Sequence, residues 1–98
     1  MSHHNTADYY ALIESLIADQ EEVWGGLAIE IANAVPGLVV SENGTESGDM
    51  WVNGNEKAIA GALADSYIKR FGQSAAKSLQ AVAREYDDDV DLPAVLQT

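Results

Sequence analysis

The chain has 98 residues, of which 16 are acidic and 5 basic, so its formal net charge is -11 and its pI is about 4.2. This balance argues against a surface that binds nucleic acid or an anionic membrane, and the absence of cysteine excludes disulfides and thiolate metal sites. A hydrophobic content of 47%, without an apolar run of about 20 residues that could span a bilayer, predicts one globular domain, 1–98.

The surplus of acidic residues has two explanations. Few lysines with many aspartates, glutamates and alanines fit a solvated surface adapted to a salt-rich, halophilic cytoplasm, and the composition favours this explanation. The other explanation is a surface that meets a basic partner protein or mimics nucleic acid. Residues 1–5, which we expect to be disordered, carry neither the basic nor the apolar part of a secretory signal, so the expected location is cytoplasmic.

A long amphipathic helix is predicted over residues 6–35, because apolar side chains recur there at intervals of three and four. The stripe comprises Tyr10, Ile13, Ile17, Gln20, Trp24, Leu27, Ile31 and Ala34, and is widened by Leu12, Leu16, Val23, Ala28 and Val35. Gly25 and Gly26 interrupt the run of helix-forming residues, but the apolar spacing continues across them without a shift. One long, kinked helix is therefore favoured over two helices joined at the glycines. The stripe is expected to pack in a homodimer, whose register a buried Gln20 would help to fix, or in a monomeric core.

Pro36 and Gly37 end this helix, and a β-hairpin is predicted over residues 38–52. Its strands are the apolar runs Leu38–Val40 and Met50–Val52, which flank a polar segment. Two strands alone are marginal in water. The hairpin is therefore expected to lie on the helices or to join the same hairpin of a second subunit.

The length of the hairpin loop decides which residues pair. A tight turn at Asn43-Gly44 would place Val39 opposite Gly48, which is a poor apolar match. A longer loop, 42–49, pairs the two apolar runs directly and is preferred because it buries more apolar surface.

Five residues are candidates for an interface or a pocket. Alternation along the second strand directs Met50 and Val52 to one face and Trp51 to the other. Trp51 is either an anchor for a partner or part of a ribbon enclosed between helices, and the enclosed ribbon is favoured. Trp24 is favoured as a core residue. The candidate binding residues are Trp51, Met50, Val52, Trp24 and Tyr67.

Two further helices are predicted, over residues 54–71 and 74–87. Asn53 is the expected cap of the first, with Glu56 completing a capping box. Small residues within 58–65 indicate that another element approaches this helix closely.

The chain ends in an acidic tail, 88–98, which follows the second of these helices. The tail is expected either to dock Leu92, Val95 and Leu96 on the core or to serve as a linear segment for a partner.

The residues that common catalytic sites need are missing. His3 and His4, the two histidines, are terminal. A nucleophilic triad needs a base beside its nucleophile, and a hydrolytic metal site needs a cluster of histidine and carboxylate ligands. The acidic run 87–89 lacks the alternating ligand spacing of a calcium loop. The sequence therefore predicts no enzyme, no catalytic residue, no metal and no cofactor.

Taken together, the patterns predict a mainly helical α+β domain in the order helix, β-hairpin, helix, helix. The expected role is a non-enzymatic protein–protein interaction or regulatory domain that forms a homodimer. The alternative is a small-molecule sensor with an apolar pocket lined by Trp51 and by the alanine- and glycine-rich helix 58–65.

Overall fold

A computed structural model describes residues 6–40, 50–88 and 90–97 of the chain. In chain order the elements are α1 (Thr6–Trp24), α2 (Gly26–Asn33), β1 (Leu38–Val40), β2 (Met50–Val52), α3 (Glu56–Phe71), α4 (Gln73–Arg84) and a 3-10 turn, η1 (Ala94–Leu96). The predicted mainly helical α+β class and the order of helices and hairpin are confirmed.

Helix α1 is the central element, because it packs against α2, α3 and α4. Its inward face consists of four fully buried aliphatic side chains, Leu12, Ile13, Leu16 and Ile17. Full burial of each such side chain contributes about 1.5–3 kcal/mol to the hydrophobic driving force. The predicted stripe is therefore the centre of the core over its first half.

The helical region 6–35 is divided into two helices at Gly25, which corrects the preference for one kinked helix. Gly25 has φ +61° and ψ -138°, a conformation that residues with a Cβ atom avoid. Its N–H group still donates to the Glu21 carbonyl at 2.7 Å, and its own carbonyl accepts from Ala28 at 3.1 Å. One helix therefore ends, and the next begins, at the same residue.

The break leaves part of the predicted stripe at the surface. Val23 is 65% exposed and Trp24 is 40% exposed, although the stripe placed both of them inward. The prediction that Trp24 belongs to the core is therefore wrong. Beyond the break the buried residues are Ala28, Ile29, Ala32 and Val35, of which the stripe included Ala28 and Val35. Its other members there, Leu27, Ile31 and Ala34, are half-buried or exposed. The predicted phase of the stripe is therefore wrong in the second helix.

The hairpin has the predicted pairing of its two apolar runs. Leu38 lies opposite Val52, and Val40 lies opposite Met50, in an antiparallel register. Leu38, Val40 and Met50 are buried against the helices. The predicted loop, 42–49, lies outside the described residues.

Helix α3 is capped by Asn55 and not by Asn53, whose capping role was predicted. The Asn55 side-chain oxygen accepts the N–H of Ala58 at 2.9 Å, so the helix begins at Glu56. Helix α4 ends at Arg84, three residues before the predicted boundary.

The C-terminal segment docks on the core, which is one of its two predicted states. Val90, Leu92 and Leu96 are buried. A Cβ atom built on Gly61 would lie 3.1 Å from Pro93 Cβ, so the small-residue side of α3 is where this segment approaches. Since the apolar side chains face the core, the alternative of a free linear segment does not describe the fold.

Tyr67 links α3 to α2 inside the core. Its side chain is fully buried, and its hydroxyl donates to the Ala28 carbonyl at 2.8 Å. Burial raises the pKa of Tyr67 well above its ordinary value, and the negative charge of Glu21 raises it further. The neutral, hydrogen-bonded form of the phenol is therefore the form that the fold stabilises.

The two neighbouring glycines provide a matched test of the helix break. We expect Gly25→Ala to destabilise the protein by about 1–3 kcal/mol, because its positive φ is strained for a residue with a Cβ atom. Gly26→Ala should stabilise it by about 0.4–1 kcal/mol, since Gly26 is helical with open space around it. Urea unfolding of both variants measures the difference, and equal effects would contradict the break at Gly25.

The Tyr67 hydroxyl predicts a pH-dependent contribution to stability. Because its folded-state pKa is raised, this contribution is complete below the pKa of an unfolded tyrosine, about 10, and is lost as the pH rises through the folded-state pKa. Tyr67→Phe should cost about 1 kcal/mol at pH 8, and this deficit should disappear near pH 11, since the loss is about 1.4 kcal/mol per unit. Urea unfolding from pH 8 to 11 tests this; a constant deficit would contradict it.

Candidate functional site

The hairpin carries an exposed apolar pair on the side away from the helices. Val39 and Trp51 lie directly opposite each other in the register, and they are 55% and 59% exposed. We call this pair the outer hairpin face. No described element covers it, so the favoured prediction of a ribbon enclosed between helices is wrong. The predicted division of Met50 and Trp51 between opposite faces is confirmed.

The free edge of β1 is closed by a side chain of α2. Asn33 Nδ2 donates to the Val40 carbonyl at 2.9 Å, and the Val40 N–H donates to Asn33 Oδ1 at 2.7 Å. The side-chain amide thus makes the two hydrogen bonds that a neighbouring strand would make. Along an antiparallel pair, the backbone N–H and C=O groups of opposite residues point alternately toward the partner strand and away from it. The bonds to Asn33 therefore show that the backbone groups of Val40, and of Met50 opposite it, point away from the hairpin.

The free edge of β2 is occupied at the same level of the hairpin. The Tyr10 hydroxyl of α1 donates to the Met50 carbonyl at 2.8 Å. An incoming strand would have to displace the Asn33 amide from β1 or the Tyr10 hydroxyl from β2. Strand addition to this hairpin is therefore opposed at both edges, and contact through the outer hairpin face is not.

Trp24 forms a second aromatic surface at the other end of α1. Its ring stacks on Phe71 with centroids 4.0 Å apart and planes 7° apart. Phe71 in turn lies 6.3 Å from the ring of Tyr67. Trp24 follows Tyr10 by fourteen residues on the same helix, which corresponds to about 21 Å along the axis. The outer hairpin face and Trp24 are therefore separate surfaces.

The structure thus separates the five predicted binding residues. Met50 and Tyr67 belong to the core, and Val52 is half-buried on the second strand of the hairpin. Trp51 and Trp24 are exposed, but on different surfaces. Tyr10 was predicted as a member of the apolar stripe, but no sequence pattern indicated that Tyr10 and Asn33 would bind the edges of the hairpin.

The pocket predicted beside helix 58–65 does not include Trp51. A shallow groove of about 400 Å³ runs between α3 and the start of the hairpin, bordered by Ala58, Ile59, Pro36 and Gly37. Its volume lies within the range of small-ligand sites. Trp51 is not among its lining residues, so the two halves of the predicted sensor site lie apart.

The described part of the chain contains neither a metal-binding cluster nor a membrane-spanning helix. The histidines lie outside it, and within it no three acidic side chains are placed to hold a metal ion. None of the described helices combines the length and the apolar character needed to cross a membrane. No family model matches the chain, and no match was found among curated proteins or solved structures.

The cap on β1 predicts the behaviour of an Asn33 variant. We expect Asn33→Ala to destabilise the protein by about 1–2 kcal/mol, because it removes two hydrogen bonds from the edge of the hairpin. The exposed edge should also promote assembly by strand pairing, measured as thioflavin T fluorescence during incubation.

Asn53→Ala is the matched control, since no side-chain hydrogen bond of Asn53 is found in the described part of the chain. The control should change neither the urea midpoint nor the rate of assembly. Equal behaviour of the two variants would contradict the role of Asn33 as an edge cap.

Proposed function

We propose that this chain is a non-enzymatic protein–protein interaction domain that forms a weak homodimer through the outer hairpin face. The observation that carries the proposal is the exposed Trp51 and Val39 pair on a hairpin whose opposite face is buried. Tryptophan is among the residues most enriched in interface hot spots. An exposed tryptophan paired with an exposed valine is an apolar patch that requires a reason.

A second copy of the chain suits this face. In a two-fold arrangement the same patch is used twice, so Trp51 of one subunit can pack on Val39 of the other. The six residues of β1 and β2 are uncharged, so the contact itself adds no like-charge pair. Since Asn33 and Tyr10 occupy the strand edges, the contact supported here is face to face and not an extension of the sheet.

The size of the patch and the charge of the chain both favour a weak, salt-dependent dimer. Two side chains supply much less than the roughly 800 Å² per partner of a standard interface. Each subunit also carries a net charge of -11. The repulsion between subunits is screened over about 10 Å at 0.1 M salt and about 3 Å at 1 M, so molar salt should favour association.

The same acidity supports two further parts of the proposal, a salt-rich cytoplasm as the setting and a partner protein with a basic surface. A regulatory role would follow if that partner binds one assembly state better than the other. A ligand-sensing role has less support, because the groove beside α3 does not include Trp51.

Light scattering of the purified chain at 0.1 M and at 1 M KCl tests the proposed dimer. We expect mainly monomer at the lower salt concentration and dimer at the higher one. Val39→Ala and Trp51→Ala should abolish the dimer, because they remove the apolar contact. Val23→Ala is the matched control, since Val23 is at least as exposed as Val39 but lies at the opposite end of α1.

A monomer at both salt concentrations and at high protein concentration would refute the dimer. A dimer that survives Trp51→Ala, or that Val23→Ala weakens equally, would show that the subunits meet elsewhere.

A further inference from the structure

A groove lined by apolar and polar side chains lies between the C-terminal end of α1 and the first turns of α4. Its volume is about 260 Å³, and its lining residues are Gln20, Val23, Trp24, Ser74, Ala75 and Ser78. It is separate from the outer hairpin face, which lies near the other end of α1.

The floor of the groove contains a buried hydrogen-bond acceptor without a donor. Gln20 is 1% exposed, and its Nε2 donates to Asp19 Oδ2 at 2.9 Å. Ser78 Oγ donates to the same carboxylate oxygen. Gln20 Oε1 has no hydrogen-bond partner in the described part of the chain. Rotating the amide would not help, because it would direct Oε1 at the Asp19 carboxylate.

One wall of the groove is an aromatic ring with one face in use. Trp24 stacks on Phe71 through one face, and 40% of its surface is exposed. A planar cation stacked on the exposed part of this ring would interact with its negative face. The partial negative charge at the C-terminal end of α1 also favours a cation there.

The charges near the groove are mixed, within a chain whose net charge is -11. The acidic residues on the last turns of α1 are Asp19, Glu21 and Glu22, and Lys77 lies on the facing part of α4. Lys69 and Arg70 lie in the last turn of α3, whose Phe71 stacks on Trp24. The negative group bound to the lining residues is the Asp19 carboxylate, which accepts from Gln20 and Ser78.

We propose that this groove binds an arginine side chain of a basic partner protein; the proposal depends on the basic partner in the proposed function and specifies where that partner docks. The guanidinium group is planar and always charged, and its N–H groups form a rigid fork. It can therefore stack on Trp24 while it donates to Gln20 Oε1 and to the Asp19 carboxylate. Lysine has the charge but lacks the planar fork.

Gln20 is 1% exposed, so an arginine side chain must displace part of the rim to reach Oε1. Val23 and Ser74 line the groove and are both exposed, and exposed side chains change rotamer within nanoseconds. The proposal therefore requires these side chains to move aside when the arginine binds.

The test is a ¹⁵N NMR titration of the full chain with a peptide of three Gly-Gly-Arg repeats. Matched peptides carry lysine or citrulline, the neutral isostere of arginine, in place of arginine. We expect the arginine peptide to shift the Gln20 side-chain amide and the Trp24 indole N–H signals. The lysine peptide should bind more weakly, and the citrulline peptide should not bind.

Gln20→Leu removes the acceptor while it keeps the volume of the side chain. We expect its melting temperature to rise, because a buried unpaired oxygen is lost, and its affinity for the arginine peptide to fall about tenfold. Asn53→Ala, at an exposed position that does not line this groove, should leave the affinity unchanged.

Equal binding of the arginine and citrulline peptides would overturn the proposal. Binding that Gln20→Leu does not weaken would overturn the groove as the docking site but leave the basic partner in place. If no basic peptide binds at all, the groove and the basic partner both fall, whereas the light-scattering result on the dimer stands independently.

Discussion

The backbone conformation of Gly25 is the constraint on which the arrangement of this fold depends. With φ at +61°, the chain leaves the helical path for a single residue and starts a second helix at once. The change in direction brings Ala28 to the hydroxyl of Tyr67 and Asn33 to the edge of β1. It also leaves Val23 and Trp24 at the end of α1 without a following helical turn to cover them. A continuous helix would have neither the β1 cap nor the exposed tryptophan stack in its present place.

The hairpin is stable in this setting because side chains of the helices make hydrogen bonds that neighbouring strands would otherwise make. A two-stranded sheet is marginal by itself, and an open edge invites assembly. Here the Asn33 amide binds the N–H and the carbonyl of Val40, and the Tyr10 hydroxyl donates to the Met50 carbonyl. The inward side chains bury themselves against the helices, so the remaining free surface of the hairpin is its outer face. The geometry thus opposes sheet extension and leaves the Trp51 side chain exposed for the proposed contact.

Much of the fold could be predicted because it depends on local periodicity. The spacing of Ile13 and Ile17 identifies the inner face of α1, and the apolar runs around Val39 and Trp51 give the register of the hairpin. The break at Gly25 could not be seen, because most residues of α2 are apolar and Leu27, Ile31 and Ala34 continue the spacing of the stripe. The face that α2 buries is a different one, formed by Ala28, Ile29 and Ala32. In a segment that is apolar on most sides, periodicity does not identify the buried face or a change in the direction of the axis.

The candidate site was less predictable for a different physical reason. The Asn33 amide imitates a backbone strand, and any residue with a side-chain amide could do so once it is brought to the edge, so no sequence pattern marks it. The exposure of Trp24 follows from the helix break. In the sequence, a tryptophan within an apolar stripe is indistinguishable from an ordinary core residue. Gln20 was recognised as a polar residue in the core stripe, but only its neighbours Asp19 and Ser78 show which of its two polar atoms lacks a partner.

The two proposed surfaces are linked by charge although they lie at opposite ends of α1. With a net charge of -11, each copy of the chain repels another, and the apolar outer hairpin face must overcome that repulsion. A basic partner seated beside Trp24 would cancel part of this charge without covering Trp51. Its binding would therefore favour the dimer, and by thermodynamic reciprocity the dimer would bind the partner more tightly. High salt would weaken this coupling, since it screens both the repulsion between copies and the attraction to the partner. On this reasoning the acidity would make the proposed self-association depend on the salt concentration and on the basic partner.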